Sequence, residues 1–184
     1  MARIDPIPLA SMTPEQRRLN DEIAGSRGGG TAKGPFALWL RTPELADLAN
    51  AFGSHLRHHT SVPQRLVELA VLVVARTYTA QYEWYAHAKY VEEVGLDPAV
   101  AEAIRTRAEP KIVKEDEKIV HAVATALSVE RRLDDATYAK AVKILGEQTV
   151  LDLVTIIGFY TMVAVVLVAI DVDIPDGGAK PLSA

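Results

Sequence analysis

The residues best suited to chemistry are two acids and a histidine, Glu68, Glu83 and His87, in a stretch that is otherwise apolar and aromatic. Glu83 and His87 are four residues apart, so on a helix they share one face and their side chains can meet. Glu68 lies where the preceding segment is most apolar, and a buried acid there needs a partner or keeps its proton. We therefore predict that these three residues are catalytic and move protons.

The same residues could instead be structural. An ordinary surface ion pair would explain the spacing of the second acid and the histidine, and such pairs contribute little to stability. The first acid could hydrogen-bond a neighbouring helix or Arg65. The adjacent rings of Tyr82, Trp84 and Tyr85 favour a pocket wall or a subunit interface, because a polar pair among large rings is typical of such places.

Four further residues are predicted to bind the substrate: Tyr82, Trp84, His55 and Arg65. A carboxylated substrate also needs a positive counterpart, which an arginine supplies best. Sequence alone does not rank the candidates for that role, which are Arg41, Arg57, Arg65 and Arg76.

A second group of histidines, His55, His58 and His59, has a spacing that could bind a metal ion. No carboxylate lies within the same few residues, so a third ligand would have to come from elsewhere. The alternative is a polar cluster at the end of a helix. We predict no metal site and no cofactor, and keep metal-assisted hydrolysis by these histidines as a further reading.

Composition predicts one folded domain over residues 1–184, with an N-terminal helix and loop in 1–30 and a frayed tail in 175–184. The chain is 49% apolar with a net charge of −4, and it has no basic block, so nucleic acid is not expected as a partner. It contains no cysteine, which excludes disulfides, thiolate ligands and redox dithiols. Absence of cysteine fits a reducing compartment, and we predict the cytoplasm.

Residues 153–170 form a run of eighteen residues without a charge, the lower length limit for a membrane span. The run contains Gly158 and Tyr160, follows Asp152 closely and leaves through Asp171, with no basic residue on either side. The first sixteen residues, with an early acid and three prolines, do not resemble a signal peptide. We predict a buried or interface helix and no membrane.

Helix starts are marked by a proline after a cap-type residue, and no segment alternates with the period of a strand. The segment after Pro63 has almost no polar face, so it should lie at the centre of the bundle. Thr79 is the predicted cap of the following helix, which Gly95 ends. A glycine-rich loop is predicted over 26–34. The predicted helices are 14–24, one opening at 43, then 63–77, 79–94, 98–107, 114–129, 135–145 and 148–170.

Several motifs resemble the carboxymuconolactone decarboxylase family, to which alkyl hydroperoxidase D also belongs, and the likeness covers roughly residues 30 to 175. They are PQRLVELA from residue 63, YEWYAH from residue 82, VGL from residue 94, GPF from residue 34, TPEL from residue 42 and IGFY from residue 157.

The resemblance implies an all-α helical bundle of the alkyl hydroperoxidase D-like type. It also implies that the fold is completed by homo-oligomerisation as a dimer, trimer or hexamer, with pockets near subunit contacts. The hydroperoxidase branch has a glutamate, a C-x-x-C dithiol and a histidine. Glu68 and His87 match the first and last of these, while Ala80 and Glu83 stand where the cysteines would be. A thiol peroxidase mechanism therefore cannot operate here.

What remains is similar to the decarboxylase side of the family. It implies a cofactor-independent lyase or isomerase acting on a small carboxylated or lactone-type molecule. In this reading His87 is the acid, Glu83 steers it, and Glu68 sets its charge or shuttles the proton. The alternative is a non-catalytic helical oligomer that binds a small apolar or aromatic ligand.

Overall fold

The structure, a computed structural model, describes residues 2–26 and 29–183, so residues 27 and 28 of the predicted loop lie outside it. It is all-α, with no strand among the described residues, as predicted. The helices are α1 (Pro14–Gly25), α2 (Pro35–Trp39), α3 (Pro43–His58), α4 (Gln64–Thr77), α5 (Gln81–Ala88), α6 (Pro98–Thr106), α7 (Glu115–Thr125), α8 (Asp135–Leu145) and α9 (Glu147–Ile170).

Local signals set most helix starts. Thr13 and Gln16 cap α1 reciprocally, with each side chain bonded to the other residue's backbone N–H. The Asp97 side chain accepts a hydrogen bond from the N–H of Ala99 at the start of α6. These caps confirm the starts predicted from proline and cap residues. The five-residue helix α2 is not predicted, because it is too short to show a period.

Helix α4 forms the centre of the main core. Every residue from 66 to 76 is buried, and α4 packs against α5, α6, α7 and α9. A helix without a polar face can satisfy its apolar side chains only by being surrounded. A smaller core joins α1, α2 and α3 through Leu19, Leu40 and Ala46. The crevice between the two cores contains the cavity described below.

The predicted helix 79–94 is wrong at both ends. Thr79 has φ 53°, which a β-branched residue rarely adopts, and Ala80 is the residue before α5. The Thr79 hydroxyl accepts a hydrogen bond from Arg76 and so serves the turn between α4 and α5. Beyond Ala88 the chain runs in turns to Gly95, which has the predicted positive φ, here 74°.

Helix α9 is the one helix of the described chain that is long and apolar enough to cross a membrane by length and composition. Its inner face packs on α4, α5 and α8, and 44% of its most apolar window is buried within the fold. This packing agrees with the predicted buried helix. An outer apolar stripe stays exposed, formed by Leu151, Val154, Met162, Val165 and Val168. Burial of that stripe by a second copy, like cytoplasmic location, stays a prediction.

The described part of the predicted tail is held in place and is not frayed. Leu182 is 4% exposed and belongs to the main core. Its backbone N–H and C=O both bond the side chain of Gln81, at 2.9 Å each. One apolar residue with a matched amide partner is enough to anchor the segment, a pairing that composition does not reveal.

Candidate functional site

A cavity of about 490 Å³ lies between the N-terminal segment and helices α3, α5 and α9. Its wall includes six aromatic side chains together with Glu83, His87 and Arg57. The aromatic residues are Phe36, Tyr82, Tyr85, Tyr90, Phe159 and Tyr160. A concave space in which several rings surround a few converging polar groups is the usual form of a small-molecule site.

His87 is held by Glu68 from the neighbouring helix. The His87 Nδ1 lies 2.7 Å from Glu68 Oε2, and each side chain is only 7% exposed. When Glu68 is ionised its oxygen can only accept, so Nδ1 is then the donor of this bond and Nε2 is the nitrogen left to act on a ligand. Glu68 does not line the cavity but lies behind His87. The two residues predicted from adjacent helices therefore meet.

Glu83 lies in the cavity wall without a partner. It is 1% exposed, and neither carboxylate oxygen has a hydrogen-bond partner among the described residues. Burial raises its pKa well above the ordinary value of 4.5, because an apolar surrounding disfavours the charged form. The site therefore favours a neutral carboxylic acid at this position.

The geometry corrects one expectation about pairing. Sequence spacing favours a contact between Glu83 and His87, whereas the structure pairs His87 with Glu68. Both side chains of α5 face the cavity, but the imidazole Nδ1 turns toward α4, where Glu68 is buried. Spacing within a helix shows which residues share a face, not which of two acids a ring will meet.

Arg57 and Tyr160 form a second polar pair in the wall. Burial alone would lower the pKa of Arg57, but interactions with Tyr160 and with Glu68 outweigh it and raise that pKa. Burial raises the pKa of Tyr160, against the opposing pull of Arg57. The Tyr160 ring also meets the His87 ring edge-on, with centroids 5.0 Å apart. Arg57 thus supplies the cavity with a cation.

The sequence alone leaves Arg57 as one of four equal candidates and predicts no chemical role for Tyr160. A signal for Tyr160 was present: it is the residue with a titratable side chain in the uncharged run of α9. Its contact with Arg57 joins α9 to α3, about a hundred residues away in the chain. Only the packing of these helices selects Arg57 from the four arginines.

Two glycines let the aromatic walls come close. A Cβ on Gly34, which has φ 59°, would lie 2.5 Å from the Tyr82 ring, and one on Gly53 would lie 2.9 Å from the Phe159 ring. Tyr82, predicted to bind substrate, lines the cavity, and burial followed by the effect of Tyr85 raises its pKa to about 12. It therefore remains a hydroxyl donor at any ordinary pH.

The other three predicted substrate-binding residues lie elsewhere. Trp84 is buried and borders a separate, more open depression near α6. Arg65 pairs with Asp116 at 2.6 Å and with Glu117. His55 stacks near His59, with ring centroids 5.8 Å apart, and does not line the cavity. Among the described residues, no three acid or histidine side chains are grouped so that they could hold a metal ion.

No family model matches the sequence, and no curated protein is similar to it. Solved structures are similar. A cysteine-to-alanine variant of the debrominase Bmp8 in complex with 2,3,4-tribromopyrrole has a TM-score of 0.76 at 15% identity, covering 98% of this chain and 96% of that one. An uncharacterized peroxidase-related protein from Silicibacter sp. TM1040 has a TM-score of 0.76 at 18% identity, with coverage of 93% and 90%.

An alkylhydroperoxidase AhpD core protein from Ralstonia eutropha JMP134, also an uncharacterized peroxidase-related protein, has a TM-score of 0.78 at 14% identity, covering 95% and 93% of the two chains. The chain therefore has the alkylhydroperoxidase D-like fold that its motifs predict. The fold is shown over nearly the whole chain, but a fold does not determine an activity, which depends on the residues of the cavity.

Proposed function

We propose that the protein is a cofactor-independent lyase or isomerase that moves protons on a small carboxylated or lactone-type substrate. The observation that carries the proposal is Glu83, a buried acid without a partner and with a raised pKa, in the wall of an aromatic cavity beside the Glu68–His87 pair. Buried titratable groups of this kind are more frequent at catalytic sites than elsewhere.

A decarboxylation would use the cavity as follows. Breaking the bond between carbon and the carboxylate releases carbon dioxide and leaves the electron pair on the substrate, delocalised onto a neighbouring carbonyl oxygen. Arg57 and Tyr160 are the groups suited to stabilise that oxygen, as a cation and a hydroxyl donor held together in the wall. The aromatic surroundings remove water from the leaving carboxylate, which favours loss of its charge.

The remaining carbanion needs one proton. The neutral form of Glu83 can donate it to carbon and regain one from water after product release, so that the proton count balances. An isomerisation would instead start with His87, whose Nε2 takes a proton from carbon while Glu68 stabilises the resulting imidazolium. The neutral Glu83 supplies the acid for the first reaction, and His87, held by Glu68, supplies the base for the second.

A second candidate function is binding without reaction. It is favoured by the six aromatic side chains in the wall, since rings can hold a flat apolar ligand by packing alone, without any chemistry. The similar Bmp8 structure contains 2,3,4-tribromopyrrole, a small halogenated ring. The two functions separate by one observation: an enzyme consumes its ligand, and a binding protein returns it unchanged.

The test is a screen of carboxylated lactones and of 2- and 3-oxo acids, followed by variants on the best substrate. Glu83→Gln and His87→Asn should each lower kcat by at least about a hundredfold if they transfer protons. Glu83→Gln is nearly isosteric and keeps the site neutral, so the loss isolates the proton itself. In the wild type, kcat should fall as pH rises through the raised pKa of Glu83.

His55→Asn is the matched control, because it changes a histidine outside the cavity in the same way. It should leave kcat within about twofold. Unchanged turnover in both Glu83→Gln and His87→Asn would remove these residues from the mechanism. Tight binding of a panel compound that is recovered intact would support the binding function instead.

A further inference from the structure

Three arginines gather around the turn between α4 and α5, and none of them lines the cavity. Arg76 lies in the last turn of α4, Arg105 in the last turn of α6, and Arg107 directly after α6. Arg76 and Arg107 contact Thr79, and Arg105 is close enough for its charge to lower the pKa of Arg76. We call Arg76, Arg105 and Arg107 the arginine cluster.

Two members of the cluster donate to one hydroxyl. The Arg76 Nη1 lies 3.1 Å from the Thr79 Oγ1, and the Arg107 Nη2 lies 3.5 Å from the same atom. A shared acceptor brings two like charges close together, and the longer contact is at the limit of a hydrogen bond. Arg105 adds a third charge but is already engaged by Glu102 and by the C=O of Pro181.

The charge of the cluster is not balanced. Arg76 is 4% exposed, and its Nε has no hydrogen-bond acceptor. Among the described residues no carboxylate forms a salt bridge with Arg76 or Arg107. Burial lowers the pKa of Arg76, and the charges of Arg107 and Arg105 lower it further. Buried charges in proteins are normally paired, so this arrangement calls for an acceptor.

The ends of the helices explain only part of this. Helices α4 and α6 both end here, and a helix C-terminus carries a partial charge of about −0.5, which favours a nearby cation. That effect falls off within one turn and is weaker than the charge of Arg76 and Arg107, the two guanidinium groups of the cluster without a carboxylate partner among the described residues. It also provides no acceptor for the Nε of Arg76. Arg107 has φ 60° at its position, a conformation that does not favour arginine.

We propose that the arginine cluster binds a small tetrahedral oxyanion, a phosphate group, with Arg76 and Arg107 as its principal donors. Because the Nε of Arg76 is closed to solvent, the anion has to open the long contact between Arg107 and Thr79. One of its oxygens then takes the place of the Thr79 hydroxyl at Arg107, and another reaches the Nε of Arg76. Guanidinium groups donate two parallel hydrogen bonds to phosphate, which suits a pair that lacks a carboxylate. The group can belong to inorganic phosphate or to a phosphate monoester.

The test is calorimetric titration of the full chain with inorganic phosphate and, separately, with glycerol phosphate, at constant ionic strength set by chloride. The key variant is Arg107→Asn, because asparagine accepts the positive φ at this position while the guanidinium group, with its charge and its donors, is removed. The control is Arg131→Asn. Arg131 has φ 59° at the end of another helix and makes no contact with the cluster.

Wild type and Arg131→Asn should bind phosphate with similar affinity, while Arg107→Asn should bind at least about tenfold more weakly. Tighter binding of glycerol phosphate than of inorganic phosphate would assign the site to an ester. Equal binding by Arg107→Asn and Arg131→Asn, or no binding by the wild type at millimolar phosphate, would overturn the proposal. Turnover in the cavity is a separate readout, so neither result bears on Glu83 and His87.

Discussion

Helix α4 carries two charged contacts one turn apart, and they differ in kind. At its start, Arg65 meets α7 and pairs with both Asp116 and Glu117. One turn later, Glu68 meets α5 and pairs with His87. Both contacts join buried or half-buried side chains across two helices, yet only the second borders the cavity.

The difference lies in how completely each region is satisfied. At the α4–α7 contact the buried Glu117 has two cations, Arg65 and Lys114, the latter at 3.1 Å. At the α4–α5 contact the buried Glu83 has no partner. A contact that only stabilises the fold gains from pairing every charge, whereas a reaction site has to leave one group free for the substrate. Of these two contacts, therefore, only the one beside the cavity leaves a buried carboxyl group without a partner among the described residues.

The largest expected difference between the two contacts is in kcat, when one carboxylate of each contact is replaced by an amide. Glu68→Gln should lower kcat about a hundredfold. An amide does not stabilise an imidazolium formed at His87 during the reaction, and it does not fix the tautomer of the ring as a carboxylate does. It should also shift the pH dependence of kcat, which a purely structural role would not. Glu117→Gln is the matched control and should leave kcat within about twofold. Steady-state kinetics measure both variants. Equal losses of kcat would contradict the distinction between a reaction site at Glu68 and a structural contact at Glu117.

The next effect is on stability at the α4–α7 contact. Arg65→Ala should lower the free energy of unfolding by about 2 kcal/mol, because it leaves the buried Glu117 with Lys114 alone. Arg18→Ala, which breaks an exposed pair with Glu22, should lower it by less than about 0.5 kcal/mol. Urea denaturation measures both. Similar losses of unfolding free energy in the two variants would show that the Arg65 pairing stabilises the fold no more than an exposed ion pair does.

The smallest effect, taken over one pH unit, is a change of stability with pH at the α4–α5 contact. Because the pKa of Glu83 is raised in the folded state, the native protein keeps a proton that the unfolded chain has lost above about pH 4.5. Stability of the wild type should then fall with rising pH by about 1.4 kcal/mol per unit relative to Glu83→Gln, until Glu83 ionises in the fold. Denaturation curves of the two proteins at several pH values measure the difference. Parallel pH profiles would mean that Glu83 is not buried as an acid.

Much of the fold follows from local patterns. The starts of α1, α3 and α6, the buried α4 and the long α9 follow from caps, prolines and periodicity. The end of α5 at Ala88 does not follow from them, because the residues between Ala88 and Gly95 are of types that are common in helices although they form turns here. Thr79 is wrong as a cap because its φ of 53° is not the extended conformation of a cap residue, and because its hydroxyl accepts a hydrogen bond from Arg76, one turn away in the chain. Local rules fail where a side chain has a competing partner that they do not include.

The candidate site divides in the same way. Glu68, Glu83 and His87 are apparent from sequence because polar groups are unusual in such an apolar stretch. The sequence does not show which acid pairs with the histidine, because both Glu68 and Glu83 could reach His87 as long as the packing of the helices is not known. Arg57 and Tyr160 are missed or left unranked because they come together from α3 and α9. A contact between distant segments leaves no periodic signal in either one.

By itself, the sequence determines that this chain is helical, that it lacks thiol chemistry and that two acids and a histidine lie in its most apolar region. These are properties of residue type and spacing, which depend only on near neighbours. The tertiary structure decides that Glu68 takes the imidazole, that Glu83 stays unpaired and that Arg57 is the cation of the cavity. Charge and proton affinity depend on burial and on distances across helices, and these exist only once the helices have packed.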